Sequence, residues 1–232
     1  MKLINAFGVA AAFSLAIAAH AASIPVANFS FNDPELADGT RTFVGTVPGW
    51  PDAGGVRDPV NAQYSGATGD NVSLPGTADG GQTAYIAFPE GLGATVRNNF
   101  GITIQANTLY TLTVALGNPL DTDPGTVVLD LFGNLIHVGS TTIPPTSITE
   151  GTFTDFSVSA GPFAPNNPVV GGPLAMRLTM SAATSPQQWL DFDNVRLTAT
   201  VPEPAGSGVL MLCVALSIQR RRRSLYQLPR LS

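Results

Sequence analysis

Residues 110–116 alternate in polarity with a period of two: Tyr110, Leu112, Val114 and Leu116 fall on one side, Thr111, Thr113 and Ala115 on the other. Residues 174–180 repeat the pattern, with Leu174, Met176, Leu178 and Met180 against Ala175, Arg177 and Thr179. A period of two is the mark of a β-strand with one buried and one wetter face. Shorter versions occur at Ala27, Phe29 and Phe31, at Ala84, Ile86 and Phe88, at Val96, Phe100, Ile102 and Ile104, and at Phe156, Val158 and Ala160. Glycine and proline punctuate the chain between them, and no stretch of the body carries a convincing helical period. Two apolar runs, 127–132 and 135–138, are split by Gly133-Asn134, which predicts a tight hairpin. About eight to ten strands without helices predict an all-β fold, a two-sheet antiparallel β-sandwich of jelly-roll type. No internal repeat supports a propeller or solenoid.

Both ends depart from this pattern. Lys2, an apolar run over 6–19 and the small-residue sequence Ala19-His20-Ala21 have the layout of a secretory signal peptide, a signal helix to be cut after Ala21 by signal peptidase. Ala22 follows the cut, where a lipoprotein would need a cysteine. At the other end Pro202-Glu203-Pro204 can continue neither a helix nor a strand ladder. An apolar segment, 205–218, and the cluster Arg220, Arg221, Arg222 and Arg223 come next. As a helix this segment is about 21 Å long against a hydrocarbon core of about 30 Å, so it suits transient residence in a membrane better than permanent anchoring. The chain thus divides into a signal peptide (1–21), a sandwich domain (22–200) and a C-terminal sorting segment (201–232), with membrane contact only through the last.

The order Val-Pro-Glu-Pro, short apolar helix, arginine cluster resembles the PEP-CTERM family of exported bacterial proteins. The resemblance implies a Gram-negative host that makes extracellular polysaccharide, processing near Pro202-Glu203-Pro204 by an exosortase, and a final place at the cell surface or in the extracellular matrix.

Composition sharpens what the body can meet. Residues 22–201 hold five arginines and no lysine against fifteen acidic residues, a net charge of −10 that would be repelled by nucleic acid and anionic lipid. Cys213, the only cysteine, lies in the apolar C-terminal segment, so the body has no disulfide. His137 is the body's one histidine, set in an apolar strand away from any nucleophile motif, and zinc sites of the usual Cys/His kind are not available. Glu35, Glu90 and Glu150, with twelve aspartates, could pair for glycoside hydrolysis, but no spacing pairs them.

The opening Asn28-Phe29-Ser30-Phe31-Asn32-Asp33-Pro34, followed by Pro48-Gly49-Trp50, and the closing Trp189-Leu190-Asp191-Phe192-Asp193-Asn194-Val195-Arg196-Leu197 together resemble galactose-binding-like, carbohydrate-binding-module-like jelly rolls. That resemblance implies adjacent first and last strands and a calcium staple between them, held by Asn32, Asp33 and Asp193. Sugar binding would need aromatic platforms with nearby amides, and Trp50, Tyr64, Tyr85 and Gln82 are available pieces, with Trp50 open also to core packing. The function expected from these readings is a non-catalytic surface or matrix protein that binds glycan or exopolysaccharide and is not an enzyme. A purely structural matrix or adhesion protein is the alternative, and a glycan-active enzyme stands behind both.

Overall fold

A computed structural model describes residues 21–37, 39–42, 47–53, 55–58, 64, 81–88, 94–181 and 188–202. The expected signal peptide (save Ala21), Glu203, Pro204 and the arginine cluster lie outside these residues.

Ten strands are present: β1 (Ala21–Ile24), β2 (Gly55–Arg57), β3 (Thr83–Phe88), β4 (Ala94–Thr103), β5 (Leu109–Asn118), β6 (Val127–Gly133), β7 (Ile136–Ile143), β8 (Thr152–Ala160), β9 (Pro173–Met180) and β10 (Gln188–Thr200). A single 3-10 turn, Pro145–Ser147, is the only helical piece among the described residues. All strand pairings are antiparallel. The first sheet runs β2-β3-β10-β5-β8, with β1 also on β10, and the second runs β4-β9-β6-β7. This is the antiparallel two-sheet sandwich that the alternation of polarity predicts.

The core lies between the sheets and is built from the apolar faces read in the sequence. Leu112, Val114 and Leu116 of β5 and Leu190 and Phe192 of β10 are fully buried, as are Leu174, Leu178 and Met180 of β9 and Leu129 and Leu131 of β6. Phe31, Trp50 and Phe192 form an aromatic knot at its edge, with ring centroids 5.1 to 5.9 Å apart. The Trp50 indole donates to the carbonyl of Ala27 at 2.9 Å, so this ring is a packing element.

Two local expectations are corrected. The alternation at Ala27, Phe29 and Phe31 is not a strand: Asn28 and Phe31 take positive φ (45° and 55°), which breaks an extended run, and the segment turns so that Phe31 enters the core while Phe29 stays exposed. The 133–134 hairpin turn shifts by one residue. Gly133 pairs with Ile136, and the two turn positions are Asn134 and Leu135, at φ of 50° and 66°. Such a turn needs positive φ at both central positions, and Gly133 is wanted elsewhere. A Cβ on Gly133 would lie 2.5 Å from Ile104 and 2.9 Å from Val169.

Strand pairing decides what the outward face of the first sheet presents. Gly55 pairs with Tyr85, Tyr85 with Asp191, Asp191 with Gly117, and Gly117 with Phe153. These five residues therefore form one row across β2, β3, β10, β5 and β8, on the face opposite the core.

Candidate active site

Asp191 occupies the middle of that row and is fully buried. Leu190 and Phe192 on either side point into the core, so the pleat sends Asp191 outward, together with Trp189. Arg57, at the end of β2, reaches Asp191 Oδ2 through Nε at 2.9 Å and through Nη2 as well. The Tyr64 hydroxyl donates to the same oxygen at 2.7 Å. The other oxygen, Oδ1, is buried with no hydrogen-bond partner among the described residues.

Aromatic rings enclose this carboxyl group. Tyr64 stacks on Phe153 with centroids 4.9 Å apart, and Tyr85 stacks on Trp189 at 4.8 Å. The guanidinium groups of Arg41 and Arg57 lie 5.1 and 5.2 Å from the centre of the Trp189 ring. Arg41 and Arg57 are themselves bridged by backbone pairing, and the Tyr85 hydroxyl is anchored on the carbonyl of Thr42 at 2.6 Å.

The electrostatics follow from burial in the presence of one cation. Burial raises the Asp191 pKa above the ordinary carboxylate value, against the pull of Arg57 and the Tyr64 hydroxyl. Burial works against the charge on Arg57, but Asp191 outweighs it and the guanidinium pKa is raised. Burial and the neighbouring Asp191 push the Tyr64 hydroxyl well above 10, which keeps it a proton donor to Oδ2. Asp191 is thus held at Oδ2 by two donors, burial moves its pKa upward against them, and Oδ1 has no partner among the described residues.

Gly117 makes room for this arrangement. A Cβ there would lie 2.5 Å from the Tyr64 hydroxyl and 2.6 Å from the Phe153 ring. Gly117→Ala is expected to push Tyr64 off Asp191 and to lower turnover while the two sheets still form. Activity measured beside near- and far-UV circular dichroism checks this; unchanged activity would show that the Tyr64 contact is dispensable.

The sequence-nominated residues divide. Tyr64 and Tyr85 do converge, around Asp191. Trp50 sits in the core, and Gln82 serves the 31–36 segment, donating to the carbonyls of Phe31 and Pro34 and accepting from the Leu36 amide. Asp193 is buried one pleat from Asp191 on the same strand, while Asn32 and Asp33 are exposed on the turn near the start. Among the described residues no group of three or more His, Cys, Asp or Glu side chains could hold a metal ion. His137 meets Asp130 at 3.0 Å on the second sheet. Arg57, central to the site, entered the sequence reading only as one of five body arginines; its placement comes from pairing of β2 with β3.

A buried carboxyl group of raised pKa, with aromatic rings around it on a β-sandwich face, is a candidate acid–base site. The model of the HpiC1-like family, described as HpiC1 cyclase, matches residues 22–198, and the chain belongs to this family. Among solved structures it is similar to the Stig cyclase Fisc from Fischerella sp. TAU in complex with (3Z)-3-(1-methyl-2-pyrrolidinylidene)-3H-indole. The two are 27% identical with a TM-score of 0.63, over 80% of this chain and 100% of that one. A cyclase from Fischerella sp. TAU in complex with 4-(1H-Indol-3-yl)butan-2-one gives 26% identity and a TM-score of 0.61, over 79% of this chain and 100% of that one. No curated protein matches by sequence. The expectation of a non-catalytic glycan-binding protein that is not an enzyme is therefore corrected: the family is one of cyclases. The two antiparallel sheets agree with the expected sandwich, but a sandwich face can carry catalysis as well as binding, so the fold did not decide the function.

Proposed function

We propose that this chain is a cyclase in which Asp191 passes a proton to and from an unsaturated, largely apolar substrate lying against Tyr85 and Trp189. The observation that carries this reading is the divided carboxyl group: Oδ2 held by Arg57 and Tyr64, Oδ1 buried and unpartnered among the described residues. A proton delivered from Oδ1 to a carbon–carbon double bond leaves a carbocation. An internal π-bond attacks it, forming the ring bond, and loss of a proton from the ring returns the acid to its starting state. Substrate and product are then isomers, and every atom is accounted for. Arg57 and Tyr64 stabilise the carboxylate while the proton is away, and the aromatic rings suit a developing cation. The indole ligands of the similar cyclases support an aromatic substrate, so an indole bearing an alkenyl side chain is the probe for the test. Incubated with the protein in deuterated buffer, it should give a cyclic isomer carrying deuterium at the protonated carbon. No product, or product without deuterium, would refute proton transfer as the initiating step.

The ends of the chain support a second element of the reading. The Pro202-Glu203-Pro204 motif, apolar segment and arginine cluster, with the N-terminal leader, favour an exported cyclase trimmed by signal peptidase and exosortase in a Gram-negative envelope. Mass spectrometry of the mature cell-associated protein should find an N-terminus at Ala22 and no residue beyond the Pro-Glu-Pro region; intact Arg220 to Arg223 would defeat it.

A further inference from the structure

The second sheet has an outward face of its own, and one row on it is electrostatically unusual. Arg97 of β4 and Arg177 of β9 are direct cross-strand partners, and Arg177 pairs in turn with Asp130 of β6. Like charges facing each other across an antiparallel pair are destabilising unless something neutralises them. Asp130 neutralises only Arg177, whose Nε and Nη2 reach Oδ2 at 2.9 and 2.6 Å; its Oδ1 is taken by His137 at 3.0 Å. Arg97 is exposed and makes no ion pair among the described residues. This happens in a body with only five arginines and a net charge of −10, where a general affinity for anions is not expected.

A cavity of about 500 Å³ opens in front of these two arginines, within the range of small-molecule sites. Its depth comes from Ala175, which lies in register between Asn99 and Phe132 and presents a methyl group where its neighbours are larger. Phe132 supplies one wall, its ring already faced by the Arg177 guanidinium at 4.8 Å. Leu135 supplies the rim. It is 92% exposed at the tip of the β6–β7 hairpin and held at a φ of 66°. A bulky residue at positive φ costs free energy that a plain Asn-Gly turn would avoid.

We propose that this depression binds a small organic anion, a carboxylate on a flat apolar body, with the carboxylate on Arg97 and the body over Ala175 between Phe132 and Leu135. The geometry matches both halves of such a molecule: a guanidinium fork without a carboxylate, and an aromatic and aliphatic surface beside it. The site is on the sheet opposite Asp191 and does not depend on the cyclase reading.

Isothermal titration calorimetry of the full chain with naphthalene-2-carboxylate and its neutral counterpart naphthalene-2-methanol tests the proposal. The carboxylate should bind saturably, and more tightly than the alcohol. Arg97→Gln should weaken the carboxylate by about tenfold or more and leave the alcohol unchanged. Ala175→Leu, which fills the floor, should remove both. Circular dichroism and thermal melts confirm that the variants fold, Arg97 being at the surface. No saturable carboxylate binding up to millimolar concentration, equal affinity for the two probes, or binding insensitive to Arg97→Gln would each overturn it. So would loss of binding on Asp191→Asn in place of Arg97→Gln, which would put the probe on the other sheet.

Discussion

Asp191→Asn should lower the rate of ring formation by about a thousandfold, within the range that a positioned general acid or base contributes. Asparagine keeps the shape of the side chain and can still accept from Tyr64 and Arg57 through its amide oxygen. It cannot deliver a proton, so the change separates chemistry from packing. Deuterium incorporation from the buffer should disappear together with product, and binding of 4-(1H-Indol-3-yl)butan-2-one, offered as a probe of the Asp191 site, should persist. The pH dependence carries a sign. Burial raises the Asp191 pKa, so the protonated acid extends to higher pH than an ordinary carboxylic acid allows, and the rate should fall as pH rises through that raised value. A rate that instead climbs with pH would make Asp191 the initiating base and reverse the order of the proton steps. A variant retaining full turnover would remove Asp191 from the chemistry altogether.

The architecture was open to reading because its signal is local. Tyr110 to Leu116 and Leu174 to Met180 alternate so regularly that only a half-buried strand accounts for them, and both are strands with those residues inward. Where the reading slipped, backbone conformation overrode polarity: Phe29 and Phe31 alternate, but positive φ at Asn28 and Phe31 makes a turn. The Asp191 site gave no such local signal. Arg57 lies 134 residues and Tyr64 127 residues before Asp191; the β2-β3-β10 order brings Arg57 to the carboxyl group, and Tyr64 reaches the same oxygen from outside these strands. Asp191 stands two residues from Asp193 in the closing strand, a spacing that fits a solvated edge or a metal ligand as readily as a buried acid. What distinguishes it is complete burial with Tyr64 and Arg57 on one oxygen, and contacts between residues so far apart in sequence leave no periodicity. The glycan-binding expectation failed at the same point, since the fold class was sound and the chemistry sat on long-range contacts.

Arg57→Met should destabilise the fold by about 3–5 kcal/mol at pH 7, the usual cost of stripping a buried charge of its partner. Methionine replaces most of the apolar stem, so the loss reports the guanidinium more than the packing. Without Arg57, nothing of comparable strength opposes the burial that already raises the Asp191 pKa, and the folded-state value moves higher still. An acid whose folded pKa exceeds its unfolded one binds more protons when folded. Its stability is therefore fully present below the unfolded value of about 3.9 and is lost as pH rises through the window up to the folded value. The variant should then lie close to the parent protein near pH 4 and farthest from it at neutral pH, as read by urea unfolding at each pH. Adding Asp191→Asn to Arg57→Met should recover most of the loss at pH 7, because the second change removes the charge that the first left bare. A loss equal at both pH values, and untouched by the second substitution, would mean that Arg57 holds β2 in place by packing over Trp189 and contributes nothing through the charge of Asp191.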